Sequence, residues 1–292
     1  MNQLPQNPIF IVGYPRSGTT LLQRLLVTQP GVYSFPETHY FCVIEKQLLF
    51  NENRNILPSC LNNVFEKIAE KMEFRFTTEE TNLIINRAHE NRLSSKDLFE
   101  NIVIRFLIHF HPVVQRLHTF NWIEKTPNHA HFLERIVEFY PDAHILHIVR
   151  HPVPAIFSRK LKFPFNKDIP LEELARRWNR ILEDIEDFSE LFPGNIYTFR
   201  YEDLVEDTET ELAAVGDFLN ISINPDLLSS IKQKNYSESF VLPSETWKLN
   251  DLARDVSNTN EDYRKLITPQ EAESIEMITL KGMIKYGYQP YY

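Results

Sequence analysis

Cysteine is nearly absent: Cys42 and Cys60 are the only two in 292 residues. They make neither a zinc-ligand spacing nor a disulfide framework, so a reducing compartment fits best. Basic charge is not in excess either. Against 31 Lys and Arg stand 40 Asp and Glu, giving a net charge of −9 and a pI near 5.6. That excludes a general nucleic-acid binder, which is normally basic, and makes any anion site a local one. No apolar run approaches the ~20 residues of a membrane span. The N-terminus has no basic region followed by an apolar signal core. A soluble, cytoplasmic protein is therefore the expectation. No repeat, low-complexity tract or linker marks a domain boundary. The length and an apolar content of 42% fit one large α/β domain over residues 1–292.

What is there begins at residues 7–26, NPIFIVGYPRSGTTLLQRLL. The apolar run Ile9-Phe10-Ile11-Val12 reads as a strand. A turn built from Gly13, Tyr14, Pro15, Arg16, Ser17 and Gly18 follows. A helical pattern then starts at Thr19 or Thr20, with Leu21, Leu22, Leu25 and Leu26 on one side. Strand, glycine-containing turn and helix are the layout of a phosphate-binding loop, in which backbone N–H groups at the helix start point at an anion. Ser17, Thr19 and Thr20 add hydroxyl donors and Arg16 adds charge. A bare strand–helix turn has no packing need for so many donors. The loop of nucleoside triphosphatases reads G-x-x-x-x-G-K-[ST]. Gly13 and Gly18 keep that spacing, but Thr19 stands in place of the Lys. Such a loop suits a phosphate and is poorly suited to an ordinary triphosphate with magnesium.

The rest of the chain reads as an alternation of strands and helices. Residues 31–36 form a short crossover. Residues 40–112 form a largely helical insertion, beginning after Glu37-Thr38-His39 and including segments at 57–72, 77–91 and 95–110. Thr77 and Glu80 have the spacing of a capping box. Strands are expected at 117–123, 143–149 and 196–200, with helices at 129–140, after Pro152, and at 171–192, 209–219 and 225–234. Residues 235–267 are polar and read as a surface loop or lid. A last helix starts at Thr268-Pro269 and ends at Gly287. This order implies an α/β, P-loop-containing three-layer sandwich with a central parallel sheet.

Arg150 follows the strand at 143–149, at the end where ligands collect in open α/β sheets. Ser158 lies eight residues on, inside the next helix. Alone, the arginine could equally serve a structural salt bridge. Together with the first loop, the pair implies a ligand with two separate phosphate groups. A dinucleotide fits less well, since G-x-G-x-x-G and an acidic ribose reader are both missing.

Tyr14-Pro-Arg-Ser-Gly-Thr-Thr20 with a downstream Arg150…Ser158 resembles the sulfotransferases that use 3′-phosphoadenylyl sulfate (PAPS), over roughly residues 8–220. The resemblance implies a 5′-phosphosulfate site at Arg16, Ser17, Gly18, Thr19 and Thr20, and a 3′-phosphate site at Arg150 and Ser158. It implies an adenine contact at Tyr201. Within that family, Pro-Arg-Ser-Gly-Thr-Thr-Leu-Leu followed by Phe35-Pro-Glu-Thr38 is similar to the tyrosylprotein sulfotransferases and their bacterial relatives. Glu37 matches their catalytic base, and Lys125 matches a lysine at the oxygen bridging phosphate and sulfate. Pro36 and His39 replace two contacts to an acidic peptide, so sulfation of peptide tyrosine is less expected than sulfation of a small-molecule, lipid or saccharide hydroxyl.

The mechanism so implied has Glu37 as base, with Lys125 and Arg16 neutralising growing charge. Adenosine 3′,5′-bisphosphate is the product and no metal is expected. His39 and Tyr40 are weaker candidates for substrate contact. Trp247 and Lys248 are candidates for a closing lid, and Lys234 or Lys248 for completing the 3′-phosphate site. The alternatives are a P-loop kinase of a small metabolite and a non-catalytic nucleotide-binding protein. A monomer and a homodimer are both compatible with the sequence.

Overall fold

The computed structural model describes residues 4–5, 8–162, 166–232, 241–242 and 256–292. Its frame is one parallel sheet in the order β2-β3-β1-β4-β5. The strands are β1 (Ile9–Val12), β2 (Val32–Ser34), β3 (Asn121–Lys125), β4 (His144–Val149) and β5 (Ile196–Arg200). β1 is buried along its whole length, as a continuous apolar run in a doubly covered parallel sheet should be. Ile9 of β1 lies opposite Ile123 of β3 on one side and His144 of β4 on the other.

Alternation along the strands sends side chains to opposite faces. Ile9 and Ile11 join a cluster with Leu22, Leu25 and Leu26 of α1 (Thr19–Leu26) and Leu212 and Val215 of α9 (Thr208–Leu219). Phe10 and Val12 join the other cluster. That one includes Phe99 and Phe106 of α4 (Ser95–Phe110) and Ile136 of α5 (Leu133–Phe139). It also takes in Trp178 of α7 (Leu171–Leu191) and Ile275 of the C-terminal helix α10 (Pro269–Lys285). Helices therefore cover both faces of the sheet. Much of the aromatic content is spent here: Phe10, Phe99, Trp122 and Tyr140 have ring centroids 5.7–6.5 Å apart in this core.

Several local signals become structure as written. The capping box at Thr77 and Glu80 starts α3 (Thr78–His89). Ser94 with Asp97, and Thr268 with Glu271, start α4 and α10 in the same way. Four expectations change. Residues 31–36 are not only a crossover, because Val32–Ser34 pairs with β3 as the edge strand β2. The strand expected at 117–123 begins at Asn121, after a 3₁₀ turn over Pro112–Arg116. The helix expected from His129 begins at Leu133, and Pro127–Phe132 is 3₁₀.

The helix expected after His39 is a single π-turn, Tyr40–Ile44, followed by a 3₁₀ turn over Glu45–Gln47. The widened turn puts Tyr40, Phe41 and Ile44 all on the buried side. Regular helix in the 40–112 insertion is confined to α2 (Leu61–Met72), α3 and α4. Of the expected lid at 235–267, only residues 241–242 and 256–267 are among those described; Lys234, Trp247 and Lys248 lie outside them.

The sheet order creates a crevice. From β1 the chain leaves toward β2 and β3, and from β4 it leaves toward β5. The carboxyl ends of β1 and β4 are neighbours from which the connections diverge, the usual ligand position in open α/β sheets.

Candidate functional site

Among the described residues, the sequence-predicted site residues other than Tyr40 gather at the carboxyl edge of the sheet. Gly13–Gly18 follows β1, Glu37 lies just beyond β2, Lys125 ends β3, Arg150 follows β4, and Tyr201 follows β5. Gly13 has φ 148°, and a Cβ there would meet the Ile148 carbonyl oxygen of β4 at 2.5 Å. Gly18 has φ 101°, and a Cβ would meet the Tyr201 ring at 2.6 Å. Both glycines are thus required by the close approach of the loop to β4 and Tyr201. Gly18 caps α1 with no side-chain hydrogen bond, and the first turn carries no acid. The first-turn amides of a helix have no partner inside it. Ser17 is fully buried, and its Oγ has no hydrogen-bond partner among the described residues. A buried, unsatisfied hydroxyl beside helix-start amides fits an anion well.

Arg16 has φ 78°. Its Nε donates to Ser158 Oγ at 3.1 Å. The first loop and the Arg150–Ser158 pair are therefore in contact, and Arg16 leans toward the second pair. Arg150 donates to the Arg16 carbonyl (3.0 Å), to Asn260 Oδ1 (2.8 Å) and to Thr259 Oγ1 (2.9 Å). Its guanidinium also lies 4.3 Å over the Tyr201 ring. Tyr201 OH donates to the Ser257 carbonyl, and Tyr263 OH donates to Ser158 Oγ at 2.9 Å. Buried Glu202 fastens this strap, accepting from Asn260 Nδ2 (2.8 Å) and Tyr288 OH (2.9 Å). Thr259, Asn260, Tyr263 and Glu202 were not singled out by sequence. A polar segment without periodicity carries no local sign of its partner 110 residues earlier.

On the other side of β1, Lys125 donates to Glu37 in a largely buried ion pair. His39 Nε2 lies 3.7 Å from the second Glu37 oxygen. Burial, the largest influence on His39, favours its neutral form. Contact with Cys42 and the Glu37 charge outweigh it, and the His39 pKa is raised. Tyr40 is a core residue: it is fully buried and its OH donates to the Ser95 carbonyl at 2.7 Å. Its expected contact with substrate has no opening to act through. Gln23 of α1 ties down the segment before Glu37, donating to Ser34 Oγ (2.7 Å) and the Phe35 carbonyl (3.2 Å).

Glu124, which sequence reading passed over, organises this end. It is fully buried and accepts from Thr38 N and Oγ1 (3.2 and 2.8 Å), Thr126 Oγ1 (2.7 Å) and His129 Nδ1 (2.9 Å). Burial would raise its pKa, but the His129 charge and these donors lower it. Burial alone would likewise hold His129 neutral, yet Glu124 and Cys42 raise its pKa to about 9. The pair is a buried ion pair that pins Thr38, and with it Glu37, to β3. A fully buried acid one residue before the end of the strand NWIEK was the available signal.

Chemically, the edge offers anion donors beside a carboxylate–ammonium pair. Among the described residues, no cluster of three or more His, Cys, Asp or Glu could hold a metal ion, and no helix is long and apolar enough to cross a membrane.

Comparison with known proteins places these features. The sequence profile described as "Sulfotransferase family" matches residues 8–225. An uncharacterized protein of Aquifex aeolicus is 24% identical over 302 residues, covering 96% of this chain and 36% of its own length. Omega-hydroxy-beta-dihydromenaquinone-9 sulfotransferase Stf3 of Mycobacterium bovis is 26% identical over 243 residues, covering 73% of this chain and 63% of its own. The chain thus spans about a third and under two thirds of these two relatives. The solved sulfotransferase domain from the curacin biosynthetic pathway shares the fold, with a TM-score of 0.56 at 20% identity over 98% of this chain and 99% of that one.

Proposed function

Since the chain belongs to the sulfotransferase family, we propose that it moves a sulfuryl group from 3′-phosphoadenylyl sulfate to the hydroxyl of a small-molecule, lipid or saccharide acceptor. The observation that carries this reading is the direct contact between the two anion-binding sets, Arg16 Nε to Ser158 Oγ at 3.1 Å. One crevice then serves one ligand with two charged groups. The residues fit such a donor: a buried unsatisfied Ser17 hydroxyl, an uncapped helix start and Arg150 stacked on Tyr201. In this sense the Gly13–Gly18 turn is a P-loop without its lysine, and residues 1–292 act as one domain. PAPS supplies the activated sulfuryl group when bound.

The chain's own residues do the rest. Loop amides, Ser17, Thr19 and Thr20 bind and orient the 5′ end, and Arg150 and Ser158 bind the 3′ phosphate. Tyr201 offers a flat face to the base. Glu37 takes the proton from the acceptor hydroxyl, a role worth about 10²–10⁴ in rate. Lys125, already in contact with Glu37, neutralises charge growing on the leaving side. Glu37-Thr38 after Phe35-Pro36 supports the branch resembling the tyrosylprotein enzymes and their bacterial relatives. The Stf3 relative, named for a hydroxylated dihydromenaquinone acceptor, supports a lipid or other small alcohol over a peptide.

Isothermal calorimetry tests the donor reading. Adenosine 3′,5′-bisphosphate should bind at least about tenfold more tightly than ATP, without magnesium, because two anion sets rather than one triphosphate cradle line the crevice. ATP preferred with magnesium, and the bisphosphate ignored, would refute it.

A further inference from the structure

The segment that follows α10 packs against the strap over Arg150. Tyr288 and Tyr291 are both buried, and their hydroxyls are spent on the strap and its support. Tyr291 OH donates to the Asn260 carbonyl oxygen, and Tyr288 OH donates to Glu202 Oε2 at 2.9 Å. Glu202 Oε1 in turn accepts from Asn260 Nδ2 (2.8 Å) and from the His151 amide (3.1 Å). Asn260 Oδ1 accepts from Arg150 Nε at 2.8 Å. The Asn260 side chain fits only this way round, with its oxygen toward a guanidinium and its nitrogen toward a carboxylate. Asn260 is therefore gripped at its carbonyl by Tyr291, at its side-chain nitrogen by Glu202 and at its side-chain oxygen by Arg150. His151, next to Arg150 in the chain, ties the segment down again. Its Nδ1 accepts from the Val153 amide (3.3 Å), so Nε2 carries the proton and donates to the Gln289 carbonyl (3.0 Å). The Tyr291 amide donates to Glu276 of α10 at 2.6 Å, which fixes the course of the segment.

We propose that Tyr291 and Tyr288 are positioning residues of the donor site: through Asn260 they hold the Arg150 guanidinium in the orientation that reads a 3′-phosphate. This rests on the donor reading above and adds to it a dependence on the segment beyond α10. Tyr291 acts on Asn260 directly, and Tyr288 acts on it by way of Glu202. A guanidinium is a rigid planar fork, so its value to a phosphate depends on the angle at which it is presented.

The strap's contacts fall on the 3′ half of the crevice. Thr259 and Asn260 hold Arg150, Tyr263 OH donates to Ser158 Oγ, and Tyr201 OH donates to the Ser257 carbonyl. Ser17, at the 5′ end, has no hydrogen-bond partner for its Oγ among the described residues, so the strap does not orient it. Loosening Asn260 should therefore weaken the grip on a 3′-phosphate and spare the grip on a 5′-phosphate. The rings have a separate, structural part: that of His151 lies 5.2 Å from Tyr288 and 5.5 Å from Tyr291, and the Arg264 guanidinium lies 5.1 Å over Tyr291. Replacing tyrosine by phenylalanine keeps these ring contacts and removes the hydroxyl alone.

The experiment is calorimetry on the full chain with two probes, adenosine 3′,5′-bisphosphate and adenosine 5′-monophosphate, which lacks the 3′ group. Tyr291→Phe should weaken binding of the bisphosphate about fivefold and change binding of the monophosphate less than about twofold. Tyr288→Phe should act in the same direction on the same probe. Equal losses for both nucleotides would make the tyrosines general supports of the fold. An unchanged bisphosphate affinity in both variants would detach the segment from Arg150. Either result overturns the proposal while the unaltered chain still prefers the bisphosphate. Failure of the donor reading looks different: the unaltered chain then binds the monophosphate as tightly as the bisphosphate, before any variant is made, and the proposal falls with it.

Discussion

At the end of β4, Arg150 is held by neutral partners: the Arg16 carbonyl, Thr259 Oγ1, Asn260 Oδ1 and the Tyr201 ring. At the end of β3, Lys125 and Glu37 are held by charge, with the buried Glu124–His129 pair beneath them. Both regions lie on the same sheet edge, and the first is built on regular strand ends. The second is built on irregular backbone, with His39 at φ 49° leading into a π-turn. Hydrogen bonds from a charged guanidinium to neutral acceptors are worth about 1.5–3 kcal/mol net. Removing one partner of a buried ion pair costs about 3–5 kcal/mol. Damage at the Arg150 end should therefore appear in donor binding, and damage at the Glu37 end in turnover or in folding.

The largest effect that would test this division is at Glu37. Glu37→Gln keeps the shape and removes the base. Turnover should fall about 10²–10⁴-fold, with affinity for adenosine 3′,5′-bisphosphate changed less than about twofold. Equal losses in both would mean that the two ends are not separable. Next comes the buried pair. Glu124→Gln should lower stability by about 3 kcal/mol in urea unfolding.

Titration gives the sign of the pair's pH dependence. His129 has its pKa raised to about 9, so its contribution is complete below the unfolded value of about 6.5 and is lost as pH rises through 9. Glu124 has its pKa lowered; its contribution is present above its unfolded value and lost as pH falls through the folded one. His147, buried in β4 without a counter-charge, is pushed the other way, to about 3, by burial first and Lys285 second. Its neutral form supports folding above about pH 6.5, and that support is lost as pH falls toward 3. The alkaline limb of a melting-temperature profile thus reports on His129. Glu124→Gln should flatten that limb; an unchanged limb would detach His129 from the pair.

The difference between the regions also governs what could be read in the sequence. Gly13–Thr20 is legible because strand, turn and helix start are consecutive, and every donor lies within one short stretch. Arg150 is legible because a strand end in an α/β pattern has a known position. The capping box at Thr77 and the helix start at Thr268-Pro269 are legible for the same local reason. Glu124 is not, because its meaning depends on Thr38, Thr126 and His129 converging on one carboxylate. β2 reads as a crossover because three residues at a sheet edge gain their identity only by pairing with Asn121–Ile123. Tyr40 reads as a pocket residue because a widened turn, invisible in the pattern, rotates it into the core.

The smallest effect concerns the strap over Arg150. A guanidinium has five N–H donors. Nε is directed to Asn260, one N–H of Nη1 to the Arg16 carbonyl, and one of Nη2 to Thr259 Oγ1. Each terminal nitrogen has a second N–H, and charge-assisted N–H donors are what a phosphate accepts. The strap then fixes the plane of the guanidinium. Thr259→Val preserves shape and deletes one of the three restraints. Affinity for the bisphosphate should weaken by about 1 kcal/mol, roughly fivefold, while turnover at saturating donor stays unchanged. Tighter binding instead would make Thr259 a competitor for Arg150 rather than its brace, and would move the strap from the architecture of the site to its closure.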